Sequence, residues 1–273
     1  MMTAGKIIVG LRGLGVMGLI VTGVMLACPF PLLNARGRHR ITRWWSSALL
    51  GALGVRLEAH GWPQQAGVRG LMMVSNHISW LDVIVMNAVT PACFVAKSEV
   101  RSWPVLGWLC RRVGTLFVRR SVRADTMRVS REIAGMLGRG EHVALFPEGT
   151  SSAAGIPGHF HSSLLQGAID ANAAIMPVAI RYHDETGERN DAAAFVGDMS
   201  FAKSLWQIVC NPSLHASLYC LPPIVCSGSN RREMAAKAHD AIHLVMAGFS
   251  RTHTVYTLPG KGELTREREF INS

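Results

Sequence analysis

Charge is scarce in this chain of 273 residues: only 17% are Asp, Glu, Lys or Arg, against 49% hydrophobic. That is rich in apolar residues for a soluble domain, yet too polar for a multi-span transporter. Zinc-ligand spacing is missing. Cys28, Cys93, Cys110, Cys210, Cys220 and Cys226 form no C-x-x-C pair and no Cys/His run, which sets aside a zinc site and leaves buried thiols in a reducing compartment. There is no G-x-S-x-G elbow and no marked nucleophilic Cys, so a covalent Ser or Cys mechanism has no candidate. Internal repeats and low-complexity tracts are also missing. No helix-turn-helix or aromatic-and-basic sheet pattern supports a nucleic-acid binder.

What charge there is leans one way. The formal net charge is +10, with the excess in Arg. A basic balance suits an anionic membrane surface, nucleic acid or an acidic substrate. The N-terminus favours the membrane. Gly13 to Leu33, GLGVMGLIVTGVMLACPFPLL, holds no charged residue. As a straight helix it is ~30 Å long, the thickness of a hydrocarbon core. Pro29 and Pro31 are expected to end it early, so it either spans the bilayer or enters one leaflet and turns back. Lys6 and Arg12 precede it; Arg36, Arg38, Arg40 and Arg43 follow. The larger basic cluster on the C-terminal side places the rest of the protein in the cytoplasm, at the inner membrane. A cleaved signal peptide is the competing reading, disfavoured by that basic run. Over residues 41–55, Trp44, Trp45, Leu49, Leu50 and Leu53 are expected to share one face of an interfacial or core helix.

Beyond residue 54, short apolar runs alternate with helical patterns. Strands are expected at Val55–Ala59, Leu71–Ser75, Cys93–Lys97, Thr115–Val118, His142–Phe146, Ile175–Tyr182 and Ser217–Leu221. Helices are expected at Trp80–Ala88, Val100–Val113 (interrupted by Pro104), Ala124–Arg139, Ser162–Asn172, Ala202–Cys210 and Arg231–Gly248. The alternation predicts an α/β fold, a mixed sheet flanked by helices, with N-terminal membrane-anchoring helices. The chain divides into an anchor and interfacial helix at 1–54, a catalytic domain at 55–250 and a polar tail at 251–273.

Three clusters carry chemistry. Asn76-His77-Ile78-Ser79-Trp80-Leu81-Asp82 follows a strand and opens a helix. His77 is a candidate general base. Asp82, five residues on, is placed to reach back to one imidazole nitrogen and fix its tautomer, as in a Ser-His-Asp triad with a substrate hydroxyl in place of Ser. Alone, this spacing also fits a core His beside a helix-start Asp. Phe146-Pro147-Glu148-Gly149-Thr150-Ser151-Ser152 follows the strand HVALF, at the strand end where α/β folds bind ligands. There Glu148 is suited to orient a hydroxyl or a basic group. Lys97, Arg119 and Arg120 end two strands, which brings them toward the rim of His77 as an anion clamp, or else as a solvated basic face or a contact with anionic lipid. Arg111 and Arg112 read as a solvated face.

The blocks NHISWLD, AKSEVRSWPVLGWLCRRVGTLFVRR, FPEGTSS and IMPVAIRY occur in this order. Together they resemble the 1-acylglycerol-3-phosphate acyltransferase family of glycerolipid acyltransferases, over roughly residues 55–225. The resemblance implies that His77 activates an acceptor hydroxyl and Asp82 orients it. It implies that Lys97, Arg120, Glu148 and Gly149, with Thr150 and Ser151 of the same block, hold the acceptor head group, and that Pro177 shapes the acyl-donor side. It implies a lysolipid acceptor, acyl-CoA or acyl-acyl carrier protein as donor, a bilayer, no metal and no further cofactor. One departure stands out: the family's Arg after the Thr is Ser151 here. Either Arg119 or Arg120 compensates, or the acceptor lacks a phosphate monoester, as in the similar branch that acylates lyso-ornithine lipid. A thioester hydrolase and a non-catalytic membrane protein are the remaining alternatives. His239 and His243 lack a third ligand for a zinc site, and His159 and His161, two apart, would point to different faces of a helix and are expected to be structural.

Overall fold

Asn34 and Gly54 bracket the second helix of the chain and show how local chemistry sets its limits. The Asn34 side chain accepts from the Gly37 N–H at 2.8 Å, and Gly54 closes the last turn at φ +72°, a left-handed cap glycine takes without strain. The computed structural model describes residues 2–61, 70–152 and 156–252. In it the helices are α1 (Met2–Ala27), α2 (Ala35–Leu53), α3 (Leu81–Val89), α4 (Leu106–Arg112), α5 (Arg123–Gly138), α6 (Gln166–Asp170), α7 (Phe201–Cys210) and α8 (Arg231–Thr252). The strands are β1 (Val55–His60), β2 (Met72–Ser75), β3 (Cys93–Lys97), β4 (Leu116–Val118), β5 (Val143–Leu145), β6 (Ile175–His183) and β7 (Leu214–Cys220).

The seven strands form one mixed sheet in the order β1-β7-β6-β2-β5-β3-β4. β6, β2, β5, β3 and β4 run parallel, while β7 is antiparallel to β6 and parallel to β1. The parallel block therefore puts the carboxyl ends of β2, β5, β3 and β4 on one rim, where His77, Glu148, Lys97 and Arg120 follow their strands. Residues of β6 alternate between two cores. Met176, Val178, Ile180 and Tyr182 face α1, α2, α3 and α7. Ile175 and Ala179 face α5, α6 and α8. A strand buried on both faces reads as an unbroken apolar run, because neither face meets water.

Several expectations need adjusting. The helix expected over Val100–Val113 divides into a 3-10 turn (Ser98–Ser102) and α4 (Leu106–Arg112) around Pro104, which lacks the N–H a continuous helix needs. The helix expected over Ser162–Asn172 divides likewise, into Ser163–Leu165 and α6. Trp44 does not share the inner face of α2: Leu49, Leu50 and Leu53 are buried while Trp44 is 55% exposed. Positions 49, 50 and 53 cluster on a helical wheel, and 44 falls outside their arc. The expectation of buried thiols fails at Cys28 and Cys210, which are exposed. Of the tail expected at 251–273, only its first two residues are described, as the end of α8; the remainder lies outside the described residues.

α1 has two apolar stripes. Val16 is buried in the core of the sheet face, with Leu19 and Ile20 packed beside it. Trp45 donates to the Leu19 carbonyl at 2.8 Å and lies where a Cβ on Gly23 would stand, 2.8 Å away. Arg12 donates to the carbonyls of Val209 (3.2 Å) and Asn211 (2.6 Å) at the end of α7, where unpaired helix carbonyls attract cations. The other stripe, Ile7, Leu11, Leu14, Val21 and Met25, is exposed throughout. By length and composition, Gly5–Ala27 is apolar enough to cross a membrane.

Candidate active site

The loop from Asn76 to Trp80 connects β2 to α3 and is pinned at both ends. Asn76 exchanges two hydrogen bonds with the backbone of Ile180 in β6, at 2.9 and 2.8 Å. At the other end Asp82, in the first turn of α3, is fully buried. Its Oδ2 accepts from His77 Nδ1 (2.8 Å) and from the N–H groups of Ile78 (2.8 Å) and Ser79 (2.9 Å). Its Oδ1 accepts from the Tyr182 hydroxyl at 2.8 Å. A carboxylate has only acceptors to offer, so the shared proton with His77 sits on Nδ1, and Nε2 carries the lone pair. Among the described residues Nε2 makes no hydrogen bond. The imidazole stacks on the Phe146 ring, centroids 4.1 Å apart and 13° from parallel.

The turn after β5 backs this loop. Gly149 N donates to Phe146 O at 3.2 Å, closing a turn that ends at φ +80° on Gly149. A Cβ at Gly149 would collide with the Arg120 guanidinium, so glycine serves there both for the backbone angle and for the approach of Arg120. Glu148 reaches to the neighbouring loop. Its Oε1 accepts from the His77 N–H at 2.8 Å and its Oε2 from the Gly158 N–H at 3.0 Å. Ser152 N donates to His77 O at 2.8 Å. Each oxygen of Glu148 thus accepts one backbone N–H, which braces the His77 loop and leaves a carboxylate further acceptor capacity.

Burial pushes the Glu148 carboxyl above its usual range, against the opposing pull of the Gly158 and His77 N–H groups. A carboxyl whose pKa is raised by folding contributes its full stability below the unfolded value and loses it as pH rises through the folded one. Glu148→Gln removes that titration. The melting temperature of E148Q minus that of the wild type is expected to grow from pH 4 to pH 8, whatever fixed offset the lost acceptor introduces. Thermal melts at several pH values check this, and a difference that shrinks with rising pH refutes it.

The other expected residues divide. Arg120 lies 3.5 Å from the Phe146 carbonyl and beside Gly149, so it joins the cluster. Arg119 is turned to Asp125, which accepts from its N–H at 2.7 Å and lies 3.8 Å from its Nε. Lys97 is exposed at the end of β3 and Thr150 is exposed in the turn; both are on the rim without touching His77. The Ser151 hydroxyl donates to the Phe195 carbonyl and points into protein. Pro177 is buried within β6, paired with Val74. It shares parity with Ile175 and Ala179, on the face opposite α3. Arg111 and Arg112 lie outside the cluster, on the Arg101 carbonyl and over Trp108. Tyr182, Phe146 and the bridging role of Asn76 carried no separable signal in the sequence. The alternation of β6 fixes the face of Tyr182, but nothing local links it to a residue 100 positions away.

The cluster can accept a proton at His77 Nε2 and stabilise the resulting imidazolium on Asp82. Burial holds the Cys93 and Cys220 thiols up at about 12, far from a reactive thiolate. An apolar cavity of about 320 Å³ runs between α1, α2, α3 and α4, lined by Leu26, Trp45, Ile84, Phe94 and Leu109 among others. Phe94 of that lining has its ring 6.0 Å from that of Phe146, on which His77 stacks.

Residues 57–181 match the family described as Acyltransferase. A lyso-ornithine lipid O-acyltransferase of Pseudomonas aeruginosa is 33% identical over 245 residues, covering 87% of this chain and 93% of the relative. A 1-acyl-sn-glycerol-3-phosphate acyltransferase of Neisseria gonorrhoeae is 35% identical over 228 residues, covering 82% and 86%. The crystal structure of the 1-acyl-sn-glycerophosphate acyltransferase PlsC from Thermotoga maritima shares the fold, with TM-score 0.60 at 18% identity over 90% of this chain and all of that one. With a histidine held by a buried carboxylate at the rim of that fold, and these relatives aligned along most of their length, this chain belongs to the acyltransferase family.

Proposed function

We propose that the protein is a lysolipid O-acyltransferase that moves a fatty acyl group from acyl-CoA or acyl-acyl carrier protein to a lysolipid hydroxyl, with His77 as the base. The observation that carries this reading is the fixed tautomer of His77, its Nδ1 held at 2.8 Å by a buried Asp82. The acceptor O–H gives its proton to Nε2 as its oxygen attacks the thioester carbonyl. The tetrahedral adduct expels the thiolate, which takes the proton back from the imidazolium. Ester and free thiol result, with no acyl-enzyme, metal or further cofactor required. The apolar cavity supplies room for an acyl chain.

The exposed stripe of α1 faces lipid in this reading. Arg12, bonded to the end of α7, keeps that part of the helix against the domain, which favours insertion into one leaflet over an independent span. Arg36, Arg38, Arg40 and Arg43 support a site on the cytoplasmic side of the inner membrane. α1 and α2 form the anchor at 1–54 and the remainder to 250 the catalytic domain.

For the acceptor, 1-acyl-glycerol-3-phosphate is the first reading, with Arg120 and Lys97 as its cations. Ser151 favours a second, lyso-ornithine lipid, because its hydroxyl is committed to Phe195 and adds no charge. The detergent-solubilised protein, given labelled acyl-CoA or acyl-acyl carrier protein with each acceptor, decides between them. Acyl release without any acceptor product would mark a hydrolase and overturn the proposal. Ser151→Arg is expected to shift preference toward the phosphate acceptor about tenfold, the worth of one charge-assisted contact. An unchanged ratio refutes the role given to position 151.

A further inference from the structure

β6 touches the catalytic loop twice. Asn76, the residue before His77, is clamped to both backbone groups of Ile180. Two residues along the same strand, Tyr182 donates to Asp82 Oδ1 at 2.8 Å. Residues two apart on a strand face the same way and stand ~7 Å apart. One rigid strand therefore spaces both ends of the segment that carries the base and its carboxylate. Resting on the reaction proposed above, we infer that Tyr182 is a positioning residue. Its hydroxyl fixes the rotation of the Asp82 carboxylate, so that Oδ2 stays aimed at His77 Nδ1.

The surroundings support this role. Oδ2 already has three donors, while Oδ1 has Tyr182 as its one donor among the described residues. Asp82 is fully buried, so water has no access to replace that donor. Tyr182 is 2% exposed and sits in the same core cluster as Leu81 and Val85 of α3. Burial, with Asp82 second, pushes the phenol well above its usual range, which keeps it a donor at every working pH. A neutral donor leaves the carboxylate's charge for His77, where a cation at that place would compete with the imidazolium.

Tyr182→Phe keeps the ring and removes only the donor. It is expected to lower kcat about tenfold while KM for donor and acceptor stays within twofold. In an Asp82→Asn background the same change is expected to cost less than twofold, because the carboxylate through which Tyr182 acts is gone. Equal losses in both backgrounds, a loss carried by KM, or an unaltered kcat would each overturn the inference. Should Y182F lose its cooperative melt, 3-fluorotyrosine placed at position 182 alters donor strength without altering packing. A change in kcat at constant KM is then expected, and none overturns it. A wild-type protein without transfer activity would instead sink the proposed reaction, and that result is read before any variant is made.

Discussion

His77→Ala is expected to abolish acyl transfer, by roughly 10³-fold or more, the range a positioned general base supplies, and to leave the melting temperature nearly unchanged. The two halves of that expectation come from different parts of the site. The activity loss follows from Nε2, the basic nitrogen aimed out of the cluster. The stability follows from backbone bonds that alanine retains: His77 N–H to Glu148 and Ser152 N–H to His77 O. Asp82 also keeps the N–H groups of Ile78 and Ser79. What goes is one side-chain bond and a stack on Phe146 at a residue whose side chain is 22% exposed. Acyl transfer and thermal melts on the same preparation check both halves. Retained activity would remove the base from the mechanism.

Asp82→Asn is expected to fail on both counts. Four donors converge on the carboxylate. An amide has one acceptor oxygen and an NH₂ that must face at least one of those donors. Leaving buried donors unpaired costs roughly 2–4 kcal/mol of stability. Transfer is expected to fall about 10²–10⁴-fold, since the amide also draws His77 toward the tautomer protonated at Nε2. The contrast with His77→Ala is the informative part: one variant keeps its stability, and the other stays folded but loses part of it. Denaturant melts of both variants test this, and a D82N as stable as H77A would mean that the four contacts are not formed together in solution.

The strands were legible because they are short apolar runs ended by Gly, Pro or a polar cluster, and β3 begins and ends where expected at Cys93 and Lys97. The helix expected at Val100–Val113 was legible only as far as Pro104. The rim was legible because residues that follow parallel strands share an edge, which brought Arg120 to the turn at Gly149. The sequence could not convey which side chains the fold had already used. Arg119 looked like Arg120 until Asp125 took it. Glu148 gave no sign in the sequence that it also accepts the N–H groups of His77 and Gly158. Tyr182 looked like the end of a strand. Such contacts join residues far apart in the chain, and periodicity holds no record of them.

If, as proposed, the outer stripe of α1 holds the enzyme in one leaflet, it meets its acceptor in two dimensions. The quantity that sets its rate is then the mole fraction of lysolipid in the surface, not its amount per volume. Diluting the acceptor with inert lipid slows turnover at constant bulk content. Crowding the same molecules into fewer vesicles speeds it. Such an anchor would couple the enzyme to the composition of the surface that holds its acceptor.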